Sequence, residues 1–512
     1  MLTQYLKQSW SNPVIRSSFA VFAISMAIKL FGYLEKILVA YYWGTSGMTD
    51  IYNVVVGILL SIFVLVREII EPGFLSGFLS AMHLKDSKGA WNLFNLFARL
   101  IFFVMLLLVA LIYIKPGLLA DLFAPGFSTY KKMLSTQLLR FTFPAIIFLA
   151  LSALTGIALN GMKKFAVSTV GELFYKVSIM LSIVFFFSSL GIYAIAAGII
   201  LGSFLKLLSH GIILIRHVSF GKVTLRSPYT SQIWKLTWPL MIGMLFSQLS
   251  SLIDNALASY LPDGSLSALG YAKKLIEFPI AICPYIISVI LFPYFTEFSI
   301  AKKTEELKSL LFNSLSWIFL LFLPLALFYY MCSFDIVALV FQRGAFDHNS
   351  TMLTSAPLKL YGFGMVFFAI ETILVIFYFA DSDTKTPIFI GIICAVENIF
   401  LTFMLIKVMG YTGIALALSI SKATKTIILL LLLKRKFTFP YKPILSFISK
   451  VSLACVLTAA VIFLSRSAFN NICDPTFFQR ITFIAVTFLT GAITYILILR
   501  LLGIRKNNLL IL

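Results

Sequence analysis

Charged side chains are scarce in this chain of 512 residues. Asp, Glu, Lys and Arg together make up 12% of it, which is about half the share found in soluble domains. Hydrophobic residues make up 60% of the sequence, and the mean hydropathy is +0.99. This composition excludes a disordered chain and an ordinary soluble enzyme, and it predicts an integral membrane protein.

Cysteine and histidine are also few, with five and four copies. The cysteines are odd in number, scattered and without a C-x-x-C pair, so neither a disulfide framework nor a metal site is predicted. The histidines do not cluster, and the sequence contains no nucleophile elbow, phosphate-binding loop or H-E-x-x-H motif. We therefore expect a protein that is not an enzyme and that needs no metal or organic cofactor.

Apolar runs long enough to cross about 30 Å of hydrocarbon as a helix recur from one end of the chain to the other. By this criterion there are about fourteen. They lie near residues 19–43, 51–82, 92–114, 135–158, 166–187, 190–215, 232–260, 267–297, 309–332, 352–380, 386–409, 411–433, 446–465 and 479–501. The predicted fold is an all-α integral membrane protein whose short connections leave no room for a soluble catalytic domain.

The formal net charge of +21 could indicate nucleic-acid binding. With the N-terminus placed in the cytoplasm, however, the cytoplasmic connections carry about 21 Lys and Arg and the external ones about 7, as the positive-inside rule predicts. The run Lys434-Arg435-Lys436 is typical of a cytoplasmic anchor. We therefore predict a multi-pass protein with both termini in the cytoplasm and without a nucleic-acid partner.

Two clusters place a cation four residues before a glutamate inside otherwise apolar spans. The first is Arg67 with Glu71 and the second is Lys273 with Glu277, each with a proline one or two positions further on. Charges at membrane depth cost roughly 2.5–3.5 kcal/mol each on insertion scales, so they usually face a cavity or a partner. Because the clusters lie 206 residues apart (273 minus 67), we interpret them as one polar site duplicated within a transporter.

Other segments also occur twice. Residues 122–127 precede the fourth span as 340–346 precede the tenth, and the polar turns 160–164 and 381–385 follow those spans. Spans 1–6 and 7–12 are therefore predicted to form two similar six-helix bundles. An even number of helices in each bundle keeps both in the same orientation, so a pseudo-two-fold axis along the membrane normal is expected.

This repeat predicts three parts of the chain. Residues 1–217 and 218–436 form the two bundles, which enclose a central cavity at the membrane mid-plane and rock about it. Residues 437–512 hold spans 13 and 14 outside the repeat. Residues 118–133 are interpreted as an interfacial amphipathic stretch with a structural role.

The first two spans hold further charged residues. Lys29 and Lys36 are two helical turns apart and share a face. Glu35 lies beside Lys36, and Asp50 closes a short external loop. On the eighth span, Lys273 and Glu277 repeat the i,i+4 spacing, and Lys274 is left to point elsewhere.

These charges support two interpretations. In the first, they line a cationic cavity, because five cations outnumber three carboxylates. The set comprises Lys29, Lys36, Arg67, Lys273 and Lys274 with Glu35, Glu71 and Glu277. Phosphate or diphosphate would suit such a cavity. In the second, they form interhelical salt bridges that lock the bundle, and Glu172 is expected to pair with Lys176 on its own helix.

Asp254 on the seventh span is a separate case. It could bind a coupling monovalent cation together with Asn398 and Thr402 of the eleventh span, or it could form hydrogen bonds that hold the helices. No sequence spacing ties these helices together, so both interpretations stay open.

Several stretches resemble one known family. Lys29 to Lys36, running on to Trp43-Gly44 and Thr49-Asp50, resembles the first-span signature of the MurJ/MviN lipid II flippases, and the D-T-K-T-P turn at residues 383–387 is the most specific match. Further matches are residues 71–74, 122–127, 271–279 and 341–346. The resemblance covers roughly residues 15–435. The family belongs to the multidrug/oligosaccharidyl-lipid/polysaccharide exporter superfamily.

The resemblance implies a transporter that flips an undecaprenyl-diphosphate-linked peptidoglycan precursor to the outer leaflet of the bacterial cytoplasmic membrane. It implies essential cations at Lys29 and Lys274, with Asp50 at the family aspartate. It also implies a groove for the lipid tail on spans 13 and 14. A coupling cation or the membrane potential is the expected energy source, membrane lipids are the expected surroundings, and a monomer is the expected functional form.

The chain departs from the family pattern in its charges. The first span has Glu35-Lys36 where arginine followed by aspartate is usual, and the second has only Arg67 of two arginines. The eighth span has Lys273-Lys274 where aspartate-arginine is usual. Lysine keeps the charge but lacks the bidentate fork of arginine. Another polyprenyl-linked oligosaccharide, or ion-coupled multidrug-type export, is therefore the alternative function.

Overall fold

The computed structural model describes residues 13–217, 248–434, 441–469 and 477–504, together with positions 241 and 437. Regular structure in these ranges is entirely helical, so the predicted all-α class is confirmed. The helices are α1 (Pro13–Trp43), α2 (Gly47–His83), α3 (Ser87–Ile114), α4 (Gly117–Phe123), α5 (Thr129–Thr142), α6 (Ala145–Gly161), α7 (Phe165–Leu190), α8 (Tyr193–Leu214), α9 (residues 248–258), α10 (Ser265–Ile300), α11 (Thr304–Met331), α12 (Ser333–Phe341), α13 (His348–Ala380), α14 (Lys385–Met409), α15 (Tyr411–Leu433), α16 (Tyr441–Phe469) and α17 (Phe477–Leu501).

Ten of these helices are long and apolar enough to cross a membrane, and there are eleven such spans if the bent pair α5 and α6 counts as one. The two helices that carry the predicted charged clusters of spans 1 and 8, α1 and α10, are not among the ten, although they are 31 and 36 residues long. The predicted seventh span, 232–260, lies mostly outside the described residues. The exact count of fourteen spans therefore stays a prediction.

The predicted fourth span is broken rather than straight. Helices α5 and α6 meet at an angle of 49°, and Pro144 stands at the break as the residue that precedes α6. Proline has no backbone N–H and cannot continue the hydrogen bonds of the preceding turn. The break turns α5, which Ser128 caps by accepting from the Lys131 backbone N–H, away from the apolar α6.

The described residues divide into two compact units, Met1–Tyr260 and Leu261–Leu512. Residues at the end of α9 belong to the first unit, where the Gly126 backbone N–H donates to the Ser259 hydroxyl at 2.9 Å. These two units are defined by which residues pack together. The predicted boundaries at 217/218 and 436/437 instead separate the two copies of the repeat and the helices outside it. The predicted three-part division stays a prediction.

Close packing of α7 and α8 organises the first unit. A Cβ on Gly198 would lie 2.7 Å from the Ile179 Cα, and one on Gly202 would lie 2.7 Å from the Tyr175 carbonyl oxygen. These glycines, four residues apart, let two helix backbones approach each other as small residues do in membrane bundles. The approach places the next turn of α8, with Lys206, directly against α7.

Polar side chains fasten α15 to its neighbours in the second unit. The Ser419 hydroxyl donates to the Leu360 carbonyl oxygen at 2.9 Å, and the Thr426 hydroxyl donates to that of Phe367 at 3.0 Å. On the other side, the Ser421 hydroxyl donates to the Cys394 carbonyl oxygen at 2.6 Å. These bonds fix which face of α15 meets α13 and which meets α14.

The local backbone repeats with an offset of 219 residues. The left-handed residues Lys163 and Ser382 have φ of 61° and 62°, and Gly191 and Gly410 have φ of 53° and 60°. The same offset relates the N-cap residues Ser128 and Asp347. It also relates Gly202 beside the Tyr175 carbonyl to Ser421 beside the Cys394 carbonyl. The sequence duplication is therefore visible in backbone conformation and helix contacts.

Candidate functional site

Glu35 of α1 is buried and bound from two other helices. Its Oε2 lies 2.6 Å from Lys176 Nζ of α7, and its Oε1 accepts from the Tyr52 hydroxyl of α2 at 3.0 Å. Lys176 is the twelfth of the 26 residues of α7, so this ion pair stands near the middle of a membrane-length helix. Sequence reasoning named Glu35 but missed Lys176 as its partner, because 141 residues separate them.

The two predicted lysines of α1 flank the same region. Lys36 Nζ donates to Asn53 Oδ1 at 3.3 Å and lies 4.7 Å from the centre of the Tyr52 ring. Lys29, half-buried, is the seventeenth of 31 residues. Gly32 lies between them, and a Cβ there would be 4.0 Å from Lys176 Cε. Lys29, Glu35, Lys36 and Lys176 are called the α1–α7 set below.

Glu172 does not pair with Lys176 on its own helix, so that prediction is wrong. Its Oε1 lies 2.5 Å from Lys206 Nζ of α8, while Lys176 reaches Glu35 of α1. The i,i+4 spacing permits a pair within one helix but is worth only about 0.2–0.5 kcal/mol. A partner on another helix also satisfies a charge that would otherwise be buried alone.

Beyond Lys206 the polar chain continues into the interior of the first unit. Lys206 Nζ lies 4.7 Å from the centre of the Phe63 ring. One turn further along α8, the buried His210 Nδ1 is 2.9 Å from the Thr155 hydroxyl, and the roles of donor and acceptor depend on the tautomer. Lys206 and His210 contact residues of α2, α6 and α7, so we interpret them as groups that hold these helices to α8.

The predicted pair on α2 is present. Arg67 Nε lies 3.2 Å from Glu71 Oε2, and both side chains are exposed by more than a third. Arg67 is the twenty-first of the 37 residues of α2, and it acts electrostatically on Glu172 and Lys206. It therefore lies near the pair of Glu172 and Lys206.

Asp50 lies within α2 rather than in the preceding loop. It stands in the first turn, after the N-cap residue Ser46, and is buried 3.4 Å from Lys131 Nζ of α5. The neighbouring Lys132 lies 2.9 Å from Asp121 of α4. These contacts agree with a structural role for residues 118–133, and they place one buried lysine there that sequence reasoning did not pair with Asp50.

The predicted pairing on α10 is wrong. Lys274 Nζ, not Lys273, lies 3.4 Å from Glu277 Oε2, with i,i+3 spacing. Lys273 is exposed and has no ion-pair partner among the described residues. The sequence spacing alone could not decide between the two lysines, because both i,i+3 and i,i+4 neighbours lie on one side of a helix.

The two charged clusters that we interpreted as one duplicated site do not occupy corresponding positions on their helices. Lys273 is the ninth of the 36 residues of α10, whereas Arg67 is the twenty-first of the 37 residues of α2. Twelve positions amount to about 18 Å along a helix axis. Their 206-residue spacing also differs from the 219-residue offset of the backbone repeat. The similarity of the clusters is therefore one of residue type and not of position.

Sequence reasoning missed a buried charge cluster in the second unit. Glu371 of α13 forms ion pairs with two lysines of α15. Its Oε2 lies 2.8 Å from Lys422 Nζ, and its Oε1 lies 2.6 Å from Lys425 Nζ. Nearby, the Thr424 hydroxyl donates to Glu397 Oε1 of α14 at 2.8 Å. Glu371, Glu397, Lys422 and Lys425 are called the α13–α15 set below. The sequence does contain a pattern that relates Lys425 to Lys206. Each of these lysines follows the left-handed glycine before its helix by fifteen residues.

The predicted cation site is not assembled within either compact unit. Asp254 belongs to the first unit, and Asn398 and Thr402, both buried, belong to the second. A shared coupling-cation site thus stays a prediction. Within either unit, the described residues include no group of three or more His, Cys, Asp or Glu side chains placed to hold a metal ion.

Comparisons with known proteins agree with this architecture. Residues 39–484 match the family model described as lipid II flippase MurJ. A protein of Haemophilus influenzae named "Probable lipid II flippase MurJ" is 29% identical over 77% of this chain and 79% of its own length. The Thermotoga maritima protein of the same name is 27% identical over 93% of this chain and 94% of its own.

Solved structures show the same fold. A structure described as lipid II flippase MurJ in an inward closed conformation superposes with a TM-score of 0.78 at 24% identity, over 93% of this chain and 97% of that one. An inward-facing multidrug resistance MATE family transporter of the MOP superfamily superposes with a TM-score of 0.66 at 13% identity, over 81% and 96%. Because the family model spans most of the sequence, this chain belongs to the MurJ lipid II flippase family.

Proposed function

We propose that this protein flips the lipid-linked peptidoglycan precursor lipid II from the inner to the outer leaflet of the bacterial cytoplasmic membrane. Membership of the MurJ family supports this substrate. The observation that carries it here is the concentration of cations near the middle of α1, α2 and α7, in a chain with only 12% charged residues. A diphosphate bound at such cations would gain charge-assisted hydrogen bonds from them.

The proposed binding groups are those predicted from the sequence. Lys29, Lys36 and Arg67 in the first unit, and Lys273 and Lys274 in the second, supply positive charge for the diphosphate. Glu35, Glu71 and Glu277 orient or neutralise cations of the site, and Asp50 holds Lys131 of α5. The head group neutralises cations that otherwise repel one another, which gives the differential binding energy that a change between inward-open and outward-open states requires.

The surroundings of the site complete the proposal. Spans 13 and 14, which correspond to α16 and α17, would accommodate the polyprenyl tail beside membrane lipids. A monovalent cation at Asp254, Asn398 and Thr402, or the membrane potential, would drive the cycle. The protein would act as a monomer with both termini in the cytoplasm.

Rescue of a bacterial strain depleted of its own flippase tests the proposal. The outer-leaflet pool of lipid II is measured by its accessibility to an added enzyme that acts only outside the cell. We expect this chain to restore both growth and that pool. Normal membrane insertion with no restored pool would contradict the proposed function, and insertion is measured by the amount of protein in the membrane fraction.

A further inference from the structure

Helix α7 takes part in two ion pairs. In one of them the lysine is the more exposed partner, and in the other the glutamate is. In the pair with α1, the Lys176 side chain is 26% exposed and that of Glu35 is 6% exposed. In the pair with α8, Lys206 is 3% exposed and Glu172 is 33% exposed. A dissolved or lipid-borne anion can therefore reach the cation of the first pair, whereas in the second pair it would meet the carboxylate.

The surroundings of Lys176 favour an anion. Its stem passes Gly32 of α1, which stands between the turns of Lys29 and Lys36. The α1–α7 set thus holds three cations and one carboxylate, with a formal charge of +2. Lysine ammonium groups are usual partners of phosphate oxygens, and an excess of cations in a low-dielectric region raises the local concentration of anions.

The carboxylate of this pair has other partners. Glu35 Oε1 accepts a hydrogen bond from the Tyr52 hydroxyl at 3.0 Å. Lys36 lies over the ring of the same Tyr52 and attracts the Glu35 carboxylate electrostatically. If Lys176 turned to another anion, Glu35 would not be left as an isolated buried charge. The exchange of one oxyanion for another on Lys176 is therefore much less costly than breaking a two-member buried pair.

We propose that Lys176 is a further phosphate-binding residue, which Glu35 holds in the substrate-free protein and releases to the diphosphate of the lipid substrate. The proposal rests on the proposed function and adds a residue of α7 to the cations of α1 and α2. Glu35 then acts as a positioning residue, because it orients Lys176 and competes with the substrate for it. No covalent step is involved.

Binding of undecaprenyl diphosphate to the purified protein in nanodiscs tests the proposal. The dissociation constant is measured for the wild type and for Lys176→Gln, Glu35→Gln and the double variant, together with the thermal unfolding midpoint of each. We expect Lys176→Gln to bind about tenfold or more weakly, as loss of a charge-assisted hydrogen bond implies. Glu35→Gln should bind more tightly, and the double variant should bind no better than Lys176→Gln.

The second ion pair of α7 provides matched controls. Lys206→Gln removes one positive charge from the same region, and Glu172→Gln removes one negative charge. Both should lower the unfolding midpoint, but they should change the dissociation constant less than Lys176→Gln and Glu35→Gln do. Equal tightening by Glu35→Gln and Glu172→Gln would show an effect of net charge alone and would overturn the proposal.

A purely structural role would give a different pattern. Lys176→Gln and Glu35→Gln would then both weaken binding in proportion to the loss of thermal stability, and the exchange variant Glu35→Lys with Lys176→Glu would restore affinity as well as stability. Either result would overturn the proposal. If the wild type binds undecaprenyl diphosphate and Lys176→Gln binds it equally well, only this inference fails. If the wild type does not bind it at all, the proposed function fails with it.

Discussion

The last predicted span of each six-span bundle carries a lysine at the same position, but different helices supply its carboxylate. Lys206 of α8 pairs with Glu172 of α7, whereas Lys425 of α15 pairs with Glu371 of α13. The position of α14 that corresponds to Glu172 is Gly391, where a Cβ would lie 3.5 Å from Lys425 Nζ. The two halves therefore share the cation and the packing around it, while the compensating acid differs.

The halves also differ in charge balance. The α1–α7 set has three lysines and one glutamate, whereas the α13–α15 set has two of each. Lys422 is 28% exposed, as accessible as Lys176, so accessibility alone does not separate the sets. The difference is that the acids of the second set balance its cations. We infer that the first set is suited to bind an anion and the second to hold helices together.

The largest expected effect is the loss of transport when a cation of the first set is removed. Lys29→Ala should lower precursor flipping at least a hundredfold, because a charge-assisted contact to the diphosphate is lost in a low-dielectric region. Lys29→Arg should keep most of the activity. The control is Lys88→Ala on the exposed first turn of α3. Normal flipping by Lys29→Ala, measured as the outer-leaflet pool, would remove the proposed role of this set.

The next effect concerns stability in the second set. Glu371→Gln leaves two partly exposed lysines without their shared buried carboxylate, and loss of one partner of a buried pair costs at most about 3–5 kcal/mol. Glu172→Gln affects one lysine and should cost less. Thermal unfolding in detergent compares the two variants. A larger decrease of the midpoint for Glu172→Gln would contradict the larger contribution to stability that we expect from Glu371.

A transplant of the acid tests the repeat directly. The 219-residue offset relates Ser152 to Glu371 and Glu172 to Gly391. Glu371→Ser combined with Gly391→Glu gives the second half the acid positions of the first. We expect the double variant to regain part of the stability lost by Glu371→Ser alone, roughly 1–2 kcal/mol, since a partner for Lys425 is restored. No recovery of the unfolding midpoint would mean that the corresponding positions are not equivalent in space.

The smallest expected effect is at the caps of α5 and α13. Ser128 and Asp347 occupy corresponding N-cap positions, and Asp347 Oδ1 accepts from the Ser350 backbone N–H at 2.7 Å. Hydrogen bonds from Ser350 hold the pKa of Asp347 below its usual value. The stabilisation is therefore complete above the unfolded pKa of about 4 and is lost as the pH falls through the lower folded pKa.

Two variants separate the cap from its charge. Asp347→Ala should cost about 1 kcal/mol at neutral pH. Asp347→Ser keeps a cap but should remove the part of the stability that depends on pH below about 4. Unfolding midpoints at pH 3.5 and pH 7 make the comparison. Equal acid sensitivity of the wild type and Asp347→Ser would assign that sensitivity to other carboxylates.

Hydropathy and local spacing were sufficient for part of this molecule. They predicted the apolar helices, the duplication and the pair of Arg67 with Glu71, because each depends on neighbours within one helix. The family resemblance likewise rested on contiguous motifs such as residues 383–387. The bend at Pro144 was not predicted, since the apolar run continues across it.

Pairing between helices could not be predicted from one sequence. Glu35 and Lys176 are 141 residues apart, and no periodicity connects α1 with α7. For Glu172 and Lys176 the local rule gave the wrong partner, because tertiary packing supplied stronger ones. The two clusters of a cation with a glutamate on spans 2 and 8 were matched by residue type. The glycines that mark backbone conformation, Gly191 and Gly410, give the offset that the structure supports.

Those two glycines also determine the direction in which side chains of the following helix point around its axis. A Cβ on Gly191 or Gly410 would meet no atom within 4 Å, so the positive φ and not crowding calls for glycine there. Each of these turns fixes the residue at which the next helix begins, and each further residue is rotated by about 100° around the helix axis. Fifteen residues therefore bring Lys206 and Lys425 to the same angle in their two halves. Inserting one residue between glycine and lysine would swing the ammonium group about 100° away from its carboxylate, so segment length here is under the same constraint as residue identity.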